Sequence, residues 1–153
     1  DQLEKDDPGG YVHMSRIYEG LGHWMEKKDA EALPWMAKFA RNPWPRKIVW
    51  LQDDVTHDRF YWLKIPDKGA AQAGQRIIAE VKGQSITLTG EVPAKTELRL
   101  SDALLDLDQA VTVTLNGKQV FSGRVQRSAE VIRQSLEERL DLPACATARI
   151  VLP

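Results

Sequence analysis

Asn116-Gly117 lies between two runs of alternating apolar and polar residues, Val111–Leu115 and Gln119–Val125. An Asn-Gly pair readily adopts the left-handed geometry of a two-residue hairpin turn, whose twist matches that of the strands it joins. The chain is thereby constrained to form an antiparallel hairpin, with Val111, Val113 and Leu115 on one face and Val113 opposite Val120. Gly83-Gln84 repeats the pattern between Gln75–Lys82 and Ser85–Gly90. In that register Val81 faces Ile86 and Ala79 faces Leu88, and a one-residue slip would turn every apolar side chain outward.

Four more segments are short and rich in β-branched and aromatic residues or alternate in polarity: Lys47–Gln52, Arg59–Ile65, Thr96–Ser101 and Thr147–Leu152. An acidic connection with three leucines, Ser101–Gln109, precedes the second hairpin. Ser128 is placed to cap a helix reaching Leu140, with Ile132, Leu136 and Leu140 as its apolar stripe and Pro143 beyond its end. Eight short strands at this spacing, mostly antiparallel, predict a mainly β fold: an antiparallel β-sandwich over residues 47–153 with one late helix.

Residues 1–46 read differently. After the turn signal Pro8-Gly9-Gly10, Tyr11–Tyr18 has the character of a strand. Gly20-Leu21-Gly22-His23 follows as a loop. Asp29 then offers an N-cap, and Ala32, Trp35, Met36, Phe39 and Ala40 recur at helical spacing, so a helix is expected over Asp29–Arg41. Asn42-Pro43-Trp44-Pro45 stops it, because Pro43 disfavours helical geometry at the residue before it. The chain thus divides into a strand–loop–helix piece, 1–46, and a β-domain, 47–153. A lone strand at 11–18 needs a sheet to pair with. The β-domain, an upstream domain, or a second copy in a homodimer through this N-terminal strand could supply one.

The formal net charge of −1, with acidic and basic residues interspersed, argues against a nucleic-acid or anionic-membrane partner. No apolar run approaches a membrane span. The single cysteine, Cys145, rules out an internal disulfide and a cysteine-rich zinc site, and nothing around it suggests a nucleophile. The start at Asp1 rather than Met reads as a processed or truncated piece.

His23 is the principal candidate for chemistry, because a general base on a glycine-bearing loop at the end of a strand is a common way of building a Ser-His-Asp site. The plainer reading is a surface-turn His packed on Trp24. Asp53, Asp54, His57 and Asp58 have the ligand types of a divalent-metal site but no metal-binding spacing, and fit better as a solvated turn. No metal and no cofactor is expected. All five tryptophans fall before residue 63. Exposed in a row they would suit sugar rings; buried they are packing. Asp102, Asp106 and Asp108 are assigned to solvent.

Tyr18-Glu-Gly-Leu-Gly-His23-Trp-Met25, followed by Ala32-Leu-Pro-Trp-Met36, resembles the end of an α/β-hydrolase catalytic domain of the dienelactone-hydrolase and prolyl-oligopeptidase-like group. In that family the last core strand leads into a loop carrying the triad His, and a final helix packs back on the sheet. The resemblance implies that His23 is the general base of a triad, and that Leu105–Val125 belongs to a C-terminal β-domain like those that follow some of these enzymes. It also implies a secreted or periplasmic location. The departure is the absence of any Gly-x-Ser-x-Gly nucleophile elbow or a suitably spaced acid, so the chain as given should be inactive. Two functions compete. One is the C-terminal portion of a serine hydrolase acting on ester or peptide bonds, with an upstream catalytic domain of the same protein as partner. The other is a stand-alone β-sandwich module that binds carbohydrate or protein.

Overall fold

The computed structural model describes Lys5 and residues 12–153, in two compact units that divide between Arg41 and Asn42. The expected turn at Pro8-Gly9-Gly10 and Tyr11, the first residue of the expected strand, lie outside the described residues.

The second unit carries nine strands in two sheets. They are β1 (Lys47–Leu51), β2 (Arg59–Phe60), β3 (Leu63–Lys64), β4 (Arg76–Lys82), β5 (Ser85–Gly90), β6 (Glu97–Leu100), β7 (Val111–Leu115), β8 (Lys118–Gly123) and β9 (Ala148–Val151). A five-stranded sheet runs β1-β4-β5-β7-β8 and a four-stranded sheet runs β2-β3-β6-β9. One apolar cluster draws on both, including Ile48, Trp50, Ile77, Leu88 and Val113 from the first and Leu63, Leu98, Leu100 and Ile150 from the second.

The first hairpin has the expected register, Val81 opposite Ile86 and Ala79 opposite Leu88, with all four buried. Alternation alone selects it, since any odd slip would expose four core side chains. The second hairpin departs from expectation. Its turn is at Asn116-Gly117, but a bulge after Val113 places Phe121, not Val120, opposite Val113. A bulge sets two residues of one strand against one of the other. Here it lets the consecutive apolar residues Val120 and Phe121 both pack on the core.

Three further expectations are corrected. Arg59–Ile65 is not one strand but the short pair β2–β3, folded back at Tyr61, whose φ of 51° is left-handed. The turn lets the Trp62 side chain reach the core, where its Nε1–H donates to the Pro45 carbonyl at 2.8 Å. The five-stranded sheet is not wholly antiparallel, because β5 and β7 run parallel, Ser85 to Thr112 through Leu88 to Leu115. A parallel neighbour needs a crossover of a dozen or more residues. Residues 91–110 provide it by way of β6 in the other sheet. The late helix, α2 (Ala129–Arg139), buries Val131 and Ser135 rather than the stripe Ile132, Leu136 and Leu140; Leu140 closes the helix in left-handed geometry and is 86% exposed. The buried face is one residue out of phase with the apolar stripe because Ser135 Oγ accepts the Ala146 N–H at 3.0 Å, which fixes the helix's rotation.

Over residues 12–41 the first unit contains a 3-10 stretch, Met25–Glu31, and a short helix, α1 (Ala32–Met36). The expected strand at 11–18 is not present over the described residues 12–18, which pair with no other strand. The expected helix over Asp29–Arg41 is only α1, and Asp29 sits inside the 3-10 stretch instead of capping. A helix this short gains little from its own hydrogen bonds and depends on packing. No described side chain of residues 12–41 is buried to supply it.

Side-chain carboxamides hold both ends of the parallel β5–β7 pair. Before β5, Gln84 donates from Nε2 to the Asp106 carbonyl at 2.5 Å and accepts the Asp106 N–H at 3.1 Å. After β7, Asn116 accepts the Gly90 N–H and donates to the Gly90 carbonyl, both at 3.0 Å. Gly90 itself runs at φ +104°, and a Cβ there would stand 2.1 Å from the Arg76 carbonyl oxygen. Gly90→Ala is therefore expected to cost about 3 kcal/mol or more of unfolding free energy in urea titration. A cost below about 1 kcal/mol would contradict this packing. Asn116→Ala should cost about 2 kcal/mol through two lost hydrogen bonds and a left-handed backbone, and Asn116→Asp should also destabilise, since it still accepts from the Gly90 N–H but sets a carboxylate oxygen against the Gly90 carbonyl.

Candidate functional site

His23 lies in the turn just ahead of the 3-10 stretch and is exposed. Its ring meets Trp24 edge-on, centroids 5.1 Å apart at 81°. Local hydrogen bonds shape the turn, Met25 N–H to the Gly22 carbonyl at 2.9 Å and Lys27 N–H to the Trp24 carbonyl at 3.0 Å, and Met25, Glu26 and Lys27 all take positive φ. Among the described residues no carboxylate or hydroxyl is hydrogen-bonded to the imidazole, so a triad's acid and nucleophile are not assembled around it. A few residues away, Tyr18 donates its hydroxyl to Glu31 at 2.5 Å, and Arg16 approaches the same carboxylate at 3.5 Å. The Glu31 hydrogen bond holds the phenol proton and raises the Tyr18 pKa.

The Asp53–Asp58 connection is a hydrogen-bonded turn. Asp53 accepts the Asp54 N–H at 2.8 Å and Asp54 accepts the Val55 N–H at 2.9 Å, which engages these carboxylates with the local backbone. Gln52, 2% exposed, spans the connection from below, donating to the His57 carbonyl at 2.8 Å and accepting the His57 N–H at 2.9 Å. Among the described residues no group of three or more His, Cys, Asp or Glu could hold a metal ion.

Asp102 and Asp108 are not simply solvated. Arg127 holds Asp102 through two nitrogens, at 2.6 and 3.0 Å, and Asp108 at 2.7 Å. Its hydrogen bonds keep both carboxyls below their usual range. Asp106 is turned to the backbone, accepting the Asp108 N–H at 2.9 Å. Leu104, Leu105 and Leu107 between them are buried, so the acidic connection is a cover over the core whose carboxylates close its own turns.

The tryptophans divide. Trp44, Trp50 and Trp62 are buried in the second unit, with Trp44 Nε1–H donating to the Pro143 carbonyl at 2.8 Å. Trp24 is 83% exposed in the first. Among the described residues neither sheet displays a row of exposed tryptophan rings. Cys145 is half-buried with its sulfur directed at main-chain carbonyls, which suits a packed thiol.

The densest charged cluster was not singled out by the sequence. Glu138 near the end of α2 meets Arg59 at 2.9 Å, Lys64 at 2.5 Å and Arg99 at 2.9 and 3.2 Å, reaching β2, β3 and β6 at once. Glu97 takes Arg99 Nε at 3.1 Å and faces Arg149 at 3.6 Å. A signal existed: Glu97 and Arg99 alternate with the buried Leu98 and Leu100, and Glu138 follows Ser135 by one helical step of three. Every charged group in this cluster contacts one of opposite sign, so the arrangement ties the helix to the sheet. Burial pushes the Glu138 carboxyl up, but the Lys64 hydrogen bond and the charges of Arg99 and Arg59 outweigh it, and the group lies below its ordinary 4.5. A folded-state pKa below the unfolded one stabilises at neutral pH, and that contribution fades as pH falls from 4.5 through the depressed value. Glu138→Gln is expected to lose about 1–2 kcal/mol at pH 7 and to converge on the wild type only as the pH falls past the depressed folded-state value. A pH-independent difference in urea unfolding would exclude this origin.

No protein-family model, curated protein or solved structure matches this chain. No helix among the described residues is long and apolar enough to cross a membrane.

Proposed function

We propose that residues 12–41 are the His-bearing end of a serine-hydrolase catalytic domain, and that the two sheets of the second unit pack as a β-sandwich accessory to it. The observation that carries this reading is the surface of the first unit. Val12 is 70% exposed, Ile17 86%, Trp24 83%, Leu33 65%, Met36 51% and Phe39 50%, and none of the described residues 12–41 is buried. A segment patterned for burial with nothing buried is the expected state of a piece separated from the surface that covers it. The strand-like 12–18 segment without a sheet and the helix truncated to one short turn agree with that.

In this reading the catalytic domain supplies the nucleophile, the oxyanion hole and the acid that orients the imidazole, while His23 takes the nucleophile's proton. The shared apolar cluster of the two sheets supports the sandwich. The burial of Trp44, Trp50 and Trp62 weighs against the carbohydrate-binding alternative.

The test is hydrolysis of an ester panel by the full-length protein. His23→Ala should lower kcat/KM on the order of 10³- to 10⁴-fold, while residues 1–153 alone should not react with a fluorophosphonate probe. Hydrolysis that survives the substitution removes His23 as the base.

A further inference from the structure

The two edges of the five-stranded sheet are built differently. The β8 edge carries a bulge, Gly123 and the polar residues Lys118, Gln119 and Ser122, the devices by which sheets discourage further pairing. The β1 edge carries no bulge and no glycine, and Lys47 is its one polar residue. It pairs with β4 without a shift from Lys47 to Leu51, and among the described residues β4 is its one neighbour in the sheet. Val81 N–H donates to the Arg46 carbonyl at 2.7 Å and Gln52 N–H to the Gln75 carbonyl at 2.8 Å, so even-numbered residues turn their peptide groups toward β4. By the two-residue repeat, Lys47, Val49 and Leu51 turn theirs to the open side. Their side chains share the sheet's outer face, where Val49 is 52% and Leu51 62% exposed, while Ile48 and Trp50 are buried on the other.

We propose that this edge binds a second copy of the chain, β1 against β1 in antiparallel pairing about a twofold axis. Charge complementarity selects the occupant and the direction. Arg46 and Lys47 stand at the start of the strand and Asp53 and Asp54 just past its end. Antiparallel self-pairing brings the basic end of each copy to the acidic end of the other, whereas parallel pairing would align like charges. Charge also selects the register. Pairing centred on Trp50 sets Val49 opposite the partner's Leu51 and Lys47 opposite the partner's Asp53, with odd-numbered residues hydrogen-bonded across the joint. Pairing centred on Val49 would leave Lys47 facing the partner's Leu51. Lys47, the one charge within β1, would deter an unmatched strand and is matched by this one. A joint of one short strand per copy belongs at the low end of specific interfaces, so the dimer should be weak and concentration-dependent.

Sedimentation equilibrium of the full chain across a concentration series tests this. The wild type should pass from monomer to dimer. Val49→Lys should raise the dissociation constant about tenfold or more without lowering Tm, because the side chain it replaces is exposed. Lys47→Asp and Asp53→Lys should each weaken the dimer, and the double exchange should restore it, which a general loss of stability would not do. A chain that stays monomeric at several hundred micromolar, a dimer indifferent to Val49→Lys, or a double exchange that fails to rescue each overturns the proposal. None of these readouts involves His23 or hydrolysis.

Discussion

The five-stranded sheet depends on one joint. Each of its hairpins is local, but they meet only where β5 runs parallel to β7, and a parallel pair has no turn of its own to set its register. Two side-chain carboxamides fix it from either end. Gln84 sits in the first hairpin turn and grips Asp106 just before β7; Asn116 sits in the second and grips Gly90 at the end of β5. Each offers one donor and one acceptor, the same pair a peptide group presents, so each continues the ladder by a rung beyond the strands. Gln52 does the same for the Asp53–Asp58 connection. The Gly90 contact also requires a backbone approach that leaves no room for a Cβ.

The four-stranded sheet is closed by a different force. Its strands are short, two of them of only two residues, and little hydrogen bonding holds β2 and β3 in place. Glu138 gathers cations from three of these strands onto α2, at side chains between 9% and 23% exposed, where shielding from water makes matched charge more valuable and unmatched charge costly. This explains why the helix turns Val131, Ser135 and Glu138 inward and leaves Leu140 in solvent. The apolar stripe is weak, and one hydrogen bond to Ala146 with several ionic contacts outweighs it.

The two units differ in kind. The second has a core to which leucines of the acidic connection contribute as well as the strands, whereas none of the described apolar residues of the first is buried. His23 stands on that unit with Trp24 as its ring contact.

Strand existence and the first hairpin's register were legible because they rest on period-two alternation and on turn residues, both local in sequence. The same local rules placed Asn116-Gly117 at a turn and Ser128 at the start of a helix. They could not see the bulge that admits both Val120 and Phe121, the turn at Tyr61, or the parallel joint, since each answers to atoms far away in the chain. The strand and long helix expected before residue 42 failed for the complementary reason: local pattern was present, but the packing that would stabilise it was not. Of the candidate site, the sequence by itself determined that one His follows a glycine loop and that the Asp53–Asp58 segment is a turn. Only the tertiary structure decided that Arg127 engages Asp102 and Asp108 and that Glu138 gathers Arg59, Lys64 and Arg99. Ion pairs depend on distance in space, and no spacing along a chain encodes a distance between strands that meet through the fold.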